Sequence, residues 1–135
     1  MNILHKTCKF LGVSILAMLL VSGCAHTRKW KTSEKVAAGI FISSMILDGY
    51  TSHKMLQNPN NHETNFILGD HPSDKKIGIY FGTTTLLYLA ALDQWVDDHE
   101  WRMIWLMGGS LLECGVSWRN NQLYHQGLEK RDNYE

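Results

Sequence analysis

Three apolar stretches are the feature of this 135-residue chain that most constrains its fold. Residues 36–47 contain only two serines as polar groups, residues 77–92 only threonines and tyrosines, and residues 103–112 only one serine. Turn-forming residues separate the stretches, at Asn58–Asn61 and at Asp97–Glu100. The pattern predicts an all-α fold with three helices, at about 33–57, 73–96 and 100–120.

Capping residues support two of these helix starts. Ser33–Glu34 and Ser73–Asp74 each place a hydroxyl before an acid in the first helical turn. We therefore predict a helical domain over about 33–121, followed by a polar tail, 122–135, that we expect to fray.

The N-terminus has the pattern of a bacterial export signal. Lys6 and Lys9 precede an apolar run, Phe10–Val21, of 12 residues. This is shorter than the roughly 20 residues of a spanning helix and has the length of a signal-peptide core. The run ends in Leu20–Cys24, Leu-Val-Ser-Gly-Cys, which resembles the lipobox of bacterial lipoproteins. The alternative is an uncleaved N-terminal membrane helix.

The lipobox resemblance implies a location. Residues 1–23 would be a removed signal peptide, Cys24 would carry the lipid, and residues 24–32 would form a lipidated tether. Two or three acyl chains, as lipoproteins carry, give a firm membrane anchor. Ala25 after the cysteine favours the periplasmic face of the outer membrane over the inner membrane. Membrane lipid is thus the first expected partner.

The helices pose a burial problem that the anchor does not solve. A helix apolar on most sides is either deeply buried or in lipid, and the 112 residues left after the signal have little interior. We expect contact with lipid, with further copies of the chain or with an envelope protein. Whether the helices span a bilayer is open: small residues recur in them, but Asp48, Asp93 and Glu113 interrupt them and the mean hydropathy is −0.20.

Charge and cysteine content exclude some functions. The full chain has zero formal charge, without the basic excess of a nucleic-acid-binding protein. Lys29, Lys31 and Lys35, with Arg28, either meet anionic headgroups or form a solvated linker. With the signal removed and Cys24 lipidated, Cys114 has no partner for a disulfide, and we expect it to be a small buried residue rather than a nucleophile.

Polar residues recur on one face of each helix. Helical spacing places Ser44, Asp48 and Thr51 together on the first helix, and Tyr80, Thr84 and Tyr88 together on the second. The third helix carries Ser110, Glu113, Ser117 and Asn120 on one face. Buried carboxyl groups must be paired, protonated or functional. The faces either converge on a polar seam centred on Asp48 and Glu113, or each acid reaches solvent or a loop by itself.

The loop at 62–73 is the most distinctive segment. It resembles a motif, Glu-Thr-Asn-Pro-Ile-Leu-Gly followed by Pro-Ser and Tyr-Phe, of a functionally uncharacterised family of small bacterial and phage membrane-associated helical proteins. The resemblance covers about 75 residues, with Phe66 where the family has proline. The matching positions are Asp48, Thr51, Glu63, Thr64, Asn65, Ile67, Leu68, Gly69, Pro72, Ser73, Tyr80, Phe81, Glu113 and Asn120.

The length of this loop predicts that it folds back onto the helices, since long structureless loops are uncommon in compact domains. Ile67 and Leu68 should bury as an apolar plug, and Gly69 allows a backbone angle that other residues resist. The plug would carry Glu63 and Asn65 to the helix ends, to meet Asp48, Thr51, Glu113 or Asn120. The polar-seam candidates are therefore Asp48, Thr51, Glu63, Asn65, Glu113 and Asn120.

Cofactor and catalytic motifs are lacking in the sequence. His62 and His71 are weak candidates for a metal site, without a recognised zinc spacing, and we expect no metal and no cofactor. No catalytic constellation stands out. The favoured function is a non-catalytic, lipid-anchored envelope protein. The alternatives are a membrane-associated enzyme that uses Asp48, Glu63 and Glu113, or a phage-encoded envelope protein such as a superinfection-exclusion factor.

The lipobox gives a first prediction. We expect Cys24→Ser to leave an unprocessed precursor about 2.5 kDa heavier than the mature protein, because the signal peptide stays attached. Gel mobility of the two proteins in an envelope fraction measures this difference. Cys114→Ser is the control and should mature like the wild type. Normal maturation of Cys24→Ser would contradict the lipoprotein assignment.

Overall fold

Three α-helices build the fold in this computed structural model, which describes residues 29–58, 60–63 and 65–132. They are α1 (Thr32–Met55), α2 (Asp74–Trp95) and α3 (His99–Asp132). The predicted all-α, three-helix class is confirmed. The signal peptide, Cys24 and the first part of the tether lie outside the described residues.

Each helix begins with a local hydrogen bond to free N–H groups. The backbone N–H of Lys31 donates to the Glu34 carboxylate, so α1 begins one residue before the predicted start. The Ser73 hydroxyl accepts from the Lys76 N–H at 3.4 Å, as the sequence predicts. Asp98 accepts from the two backbone N–H groups of residues 100 and 101, at 2.8 and 3.1 Å, and starts α3. These contacts satisfy donors that a helix leaves unpaired.

The predicted end of the third helix is wrong, because α3 continues through the polar tail to Asp132. Its extension packs against the end of α1 instead of fraying. The Lys54 ammonium lies 5.4 Å from the centre of the Tyr124 ring. Gly127 lies so close to Asn58 that an added Cβ would come within 2.1 Å of the Asn58 amide nitrogen. These contacts with α1 and its following turn hold a segment that its own composition would leave exposed.

The order of the helices along the chain sets their directions. Glu34 pairs with Arg102 near the start of α1 and α3, and Ser52 bonds Asn120 further along both, so these two helices run parallel. By contrast, α2 is antiparallel to α1, since the end of α1 meets the start of α2 through His53. The main packing is between α1 and α3; α2 also packs on α1, whereas the backbones of α2 and α3 scarcely approach each other.

A narrow α1–α3 seam forms the main packing surface. Seven α1 residues repeat with alternating steps of four and three, the spacing of parallel helix pairs, and all are buried: Glu34, Ala38, Phe41, Met45, Asp48, Ser52 and Met55. Opposite them, α3 contributes small side chains such as Ser110 and Ser117. Both serine hydroxyls donate to carbonyls of their own helix at 2.8 Å, so they need no partner across the seam.

A buried ion pair closes one end of the seam, which the sequence did not predict. Arg102 is 0% exposed and Glu34 1%, and their side chains meet at 2.9 Å. His99 lies 3.2 Å from the same carboxylate oxygen, and Arg102 also donates to the Val96 carbonyl. Burial raises the pKa of Glu34, but the Lys31 N–H, His99 and Arg102 outweigh it, so the pKa lies below its usual range.

Large apolar side chains cover much of the surface outside the seam. Val36, Ile40, Leu111 and Trp118 are all exposed. The expected excess of apolar surface over available interior is therefore present. Cys114 is also exposed, so its predicted burial is wrong: it lies one position past Glu113, on a side of α3 turned away from α1. No helix in the described part of the chain is long and apolar enough to cross a membrane.

The ion pair gives a second prediction. We expect Arg102→Met to lower the free energy of unfolding by about 3–5 kcal/mol, because it strands the Glu34 carboxylate in the interior. Urea denaturation measures the loss. Arg119→Met, at an exposed position of the same helix, is the matched control and should change little. Equal stability of the two variants would show that the Glu34–Arg102 pair does not hold the seam.

Candidate functional site

Two acids and an amide meet where the seam passes the middle of α1. Asp48 is only 5% exposed, and its carboxylate accepts a hydrogen bond of 3.1 Å from the Asn120 side chain. The same amide donates to the Ser52 hydroxyl at 3.0 Å. The Glu113 carboxyl is a further hydrogen-bond partner of Asp48. Three residues that share predicted polar faces are therefore brought together.

Asp48 is held close to the point of ionisation. Burial, the hydrogen bond with Glu113 and the nearby charges of Glu113 and Glu63 raise the pKa of Asp48 to about 7, against a lowering by Asn120. Two carboxyl groups in contact cannot both ionise cheaply, so one proton is shared between them. The pair therefore carries about one negative charge in the neutral range and a second as pH rises.

Thr51 and Ser52 occupy the rest of the polar face of α1. Thr51 is buried as predicted, but its hydroxyl donates to the Asp48 backbone carbonyl at 3.1 Å and so serves its own helix. Ser52, which the sequence argument overlooked, is the residue that accepts from Asn120. Its position four residues after Asp48 was the available signal, since such residues are neighbours on a helix.

The loop after α1 returns to the seam. Glu63 accepts from the Asn65 backbone N–H at 2.9 Å, and Asn65 accepts from the Ile67 N–H at 3.0 Å. Asn65 lines the same cavity as Asp48, and Glu63 lies near enough to Asp48 to contribute to its raised pKa. The loop thus places two of the predicted site residues beside the carboxyl pair.

The apolar plug of the loop forms only in part. Leu68 is buried, and Gly69 adopts a φ of +73°, the left-handed conformation that glycine tolerates. Ile67, however, is 54% exposed, so its predicted burial is wrong. The N–H groups of Leu68 and Gly69 both donate to the Asn65 carbonyl at 3.0 Å. In this tight turn Leu68 points inward while its neighbour Ile67 points outward.

An open cavity lies over the carboxyl pair, and we call it the acidic groove. Its floor is α1, its walls are α2 and α3, and the loop forms part of its rim; its volume is about 1220 Å³. The groove stays open because α2 and α3 both pack on α1 but scarcely on each other. Asp48 and Glu113 reach it from the floor and one wall, and Tyr80, Thr84 and Tyr88 line the other wall.

The aromatic part of the groove was not predicted as a site. Tyr88 stacks on Phe41 with ring centres 4.5 Å apart and donates its hydroxyl to the Trp105 carbonyl at 2.8 Å. Burial and the charge of Glu113 raise the pKa of Tyr88. An added Cβ at Gly109 would come within 3.0 Å of the Phe41 ring, so a glycine is needed for this packing.

The two weak metal candidates lie in the loop, away from the carboxyl pair. The rings of His62 and His71 are 4.9 Å apart, centre to centre. Among the residues that the structure describes, no three histidine, cysteine or acidic side chains form a group able to hold a metal ion.

Comparison with protein-family models, with curated proteins and with solved structures finds no match for this chain. The resemblance of the loop and of the lipobox to known patterns therefore stays a prediction from the sequence.

Asp48 gives a third prediction, for stability against pH. The native state keeps a proton on Asp48 up to about pH 7, whereas an unfolded aspartate loses it near its model value of 3.8. The native state thus binds more protons between these values, so stability should fall as pH rises through this window, by on the order of 2–3 kcal/mol. Asp48→Asn should remove this fall, since its amide still accepts from Asn120 and can donate to Glu113.

Urea denaturation at pH 5 and pH 8 measures the effect as a difference between Asp48→Asn and the wild type. Glu100→Gln, at an exposed position, is the control and should keep the wild-type pH dependence. Parallel pH profiles of the wild type and Asp48→Asn would mean that Asp48 is ionised in the native state throughout.

Proposed function

We propose that this chain is a non-catalytic, lipid-anchored protein of the bacterial cell envelope. The lipid on Cys24 holds it at the periplasmic face of the outer membrane. Its three-helix bundle packs exposed apolar faces against the membrane or a protein partner. The fold supports this role because the seam uses only one face of α1 and α3 and leaves the others apolar and uncovered.

The observation that carries this proposal is a second, apolar groove between α1 and α2. Its volume is about 690 Å³, and its lining is almost wholly apolar. Two aliphatic side chains in it, Ile46 on α1 and Leu86 on α2, are 67% and 70% exposed. Contiguous exposed apolar surface of this kind marks interaction with protein or lipid.

One observation favours a second candidate, a membrane-associated enzyme. Asp48 and Glu113 line the same open groove, and the raised pKa of Asp48 is suited to proton transfer near neutral pH. Glu63 would act on this pair by charge. The two candidates use different surfaces, so substitutions in the apolar groove test the first without touching the acids of the second.

The apolar groove gives a fourth prediction. A lipid-free protein, residues 25–135 behind a non-lipoprotein export signal, should remain with the envelope fraction through its apolar faces. The double substitution Ile46→Ser and Leu86→Ser should release it into the soluble fraction, with unchanged circular dichroism because both side chains are exposed. Immunoblots of the fractions before and after a salt wash measure this.

A matched double substitution, Asn121→Ser and Gln122→Ser, changes two exposed polar residues of α3 and should leave the protein in the envelope fraction. If the lipid-free wild type is released as completely as the Ile46→Ser, Leu86→Ser protein, the apolar faces do not hold the protein in place and the proposal fails.

A further inference from the structure

The acidic groove changes character along its length. At the end where α1 and α3 begin, its lining is aromatic and aliphatic, with Phe41, Trp101 and Trp105. Towards the loop the lining becomes polar, with Asp48, Glu113 and Asn65. The antiparallel course of α2 extends the same gradient to the opposite wall. A ligand that fits this groove therefore has an apolar body and one polar end.

The charge in the groove selects the polar end of that ligand. The titratable side chains in the lining are those of Asp48 and Glu113, with the two tyrosines Tyr80 and Tyr88, and no lysine, arginine or histidine lines it among the described residues. Glu63 in the loop adds a further negative charge to the surroundings of Asp48. A cationic head finds complementary charge here, whereas a carboxylate or phosphate head would be repelled.

We propose that the acidic groove binds an amphiphilic amine, with its ammonium group at Asp48 and Glu113 and its apolar body along Phe41 and the tryptophans. The ammonium supplies the hydrogen-bond donors that two adjacent carboxylates lack. This site is separate from the apolar groove and does not depend on the proposed envelope function.

A metal ion is a poorer occupant than an amine. Calcium and magnesium need six or more oxygen ligands, and the described residues offer no group of three acidic or histidine side chains at this point. A compact cation would also leave the apolar length of the groove uncovered. An amine on an apolar chain uses both parts of the lining.

The shared proton links this binding to pH. Binding of the ammonium group favours the form in which both carboxyl groups are ionised, so the proton held between them is released. Affinity should therefore rise with pH across the pKa of about 7 of Asp48. For one proton, the expected gain between pH 6 and pH 8 is about tenfold in the dissociation constant.

Calorimetric titration of the mature chain with Cys24→Ser tests the site, with decylamine, decanol and decanoate as probes below their aggregation concentrations. We expect decylamine to bind at least about tenfold more tightly than decanol at pH 8, the size of a charge-assisted hydrogen bond, and decanoate to bind weakest. Decylamine binding should tighten from pH 6 to pH 8, whereas decanol binding should not change.

Three variants separate head from body. The double substitution Asp48→Asn, Glu113→Gln should bind decylamine no more tightly than decanol, and circular dichroism checks its fold. Leu111→Ala, at an exposed wall position, should weaken both probes equally. Glu100→Gln, outside the groove, should behave as the wild type. Equal affinity for amine and alcohol, an amine preference that survives the double substitution, or no binding of any probe would each overturn the proposal.

Discussion

The parallel packing of α1 against α3 is the constraint on which the rest of the structure depends. Both helices are apolar on most sides, so apolar burial by itself does not decide which faces meet. The polar residues decide it. Glu34 can be buried only where Arg102 meets it, and Asp48 only where Asn120 and a second carboxyl reach it. Any rotation or shift of one helix would strand these groups in the interior, at a cost larger than most core substitutions.

The narrowness of this seam creates the unfilled surfaces. Serine and alanine side chains let α1 and α3 approach closely, and the serine hydroxyls bond within their own helices. The core that results is small and centred on Phe41, Met45 and Leu106. With α2 held to α1 through Phe81 and Tyr88, nothing fills the space between α2 and α3. The acidic groove and the apolar groove are thus consequences of how little of each helix the seam uses.

Local sequence signals predicted what local physics determines. The helix class, the Ser73 cap, the backbone angle of Gly69 and the shared faces of Asp48 and Glu113 follow from spacing and residue type, and the structure has them. Features set by distant contacts were not predictable in this way. Arg102 lies 68 residues from Glu34 and looks like one more charge in a polar helix start. The extension of α3 depends on contacts with α1, and whether Ile67 or Leu68 turns inward depends on hydrogen bonds to Asn65.

The carboxyl pair is the part of the seam that stability alone does not explain. An asparagine at position 48 would accept the same hydrogen bond from Asn120 and donate to Glu113 without any buried charge. Instead, burial and two neighbouring acids hold the pKa of Asp48 at about 7, so the native state loses stability as the pair ionises. A group in this state gains most from an incoming positive charge, and the groove above it is open to one. The cost in stability and the open groove therefore point to the same residues.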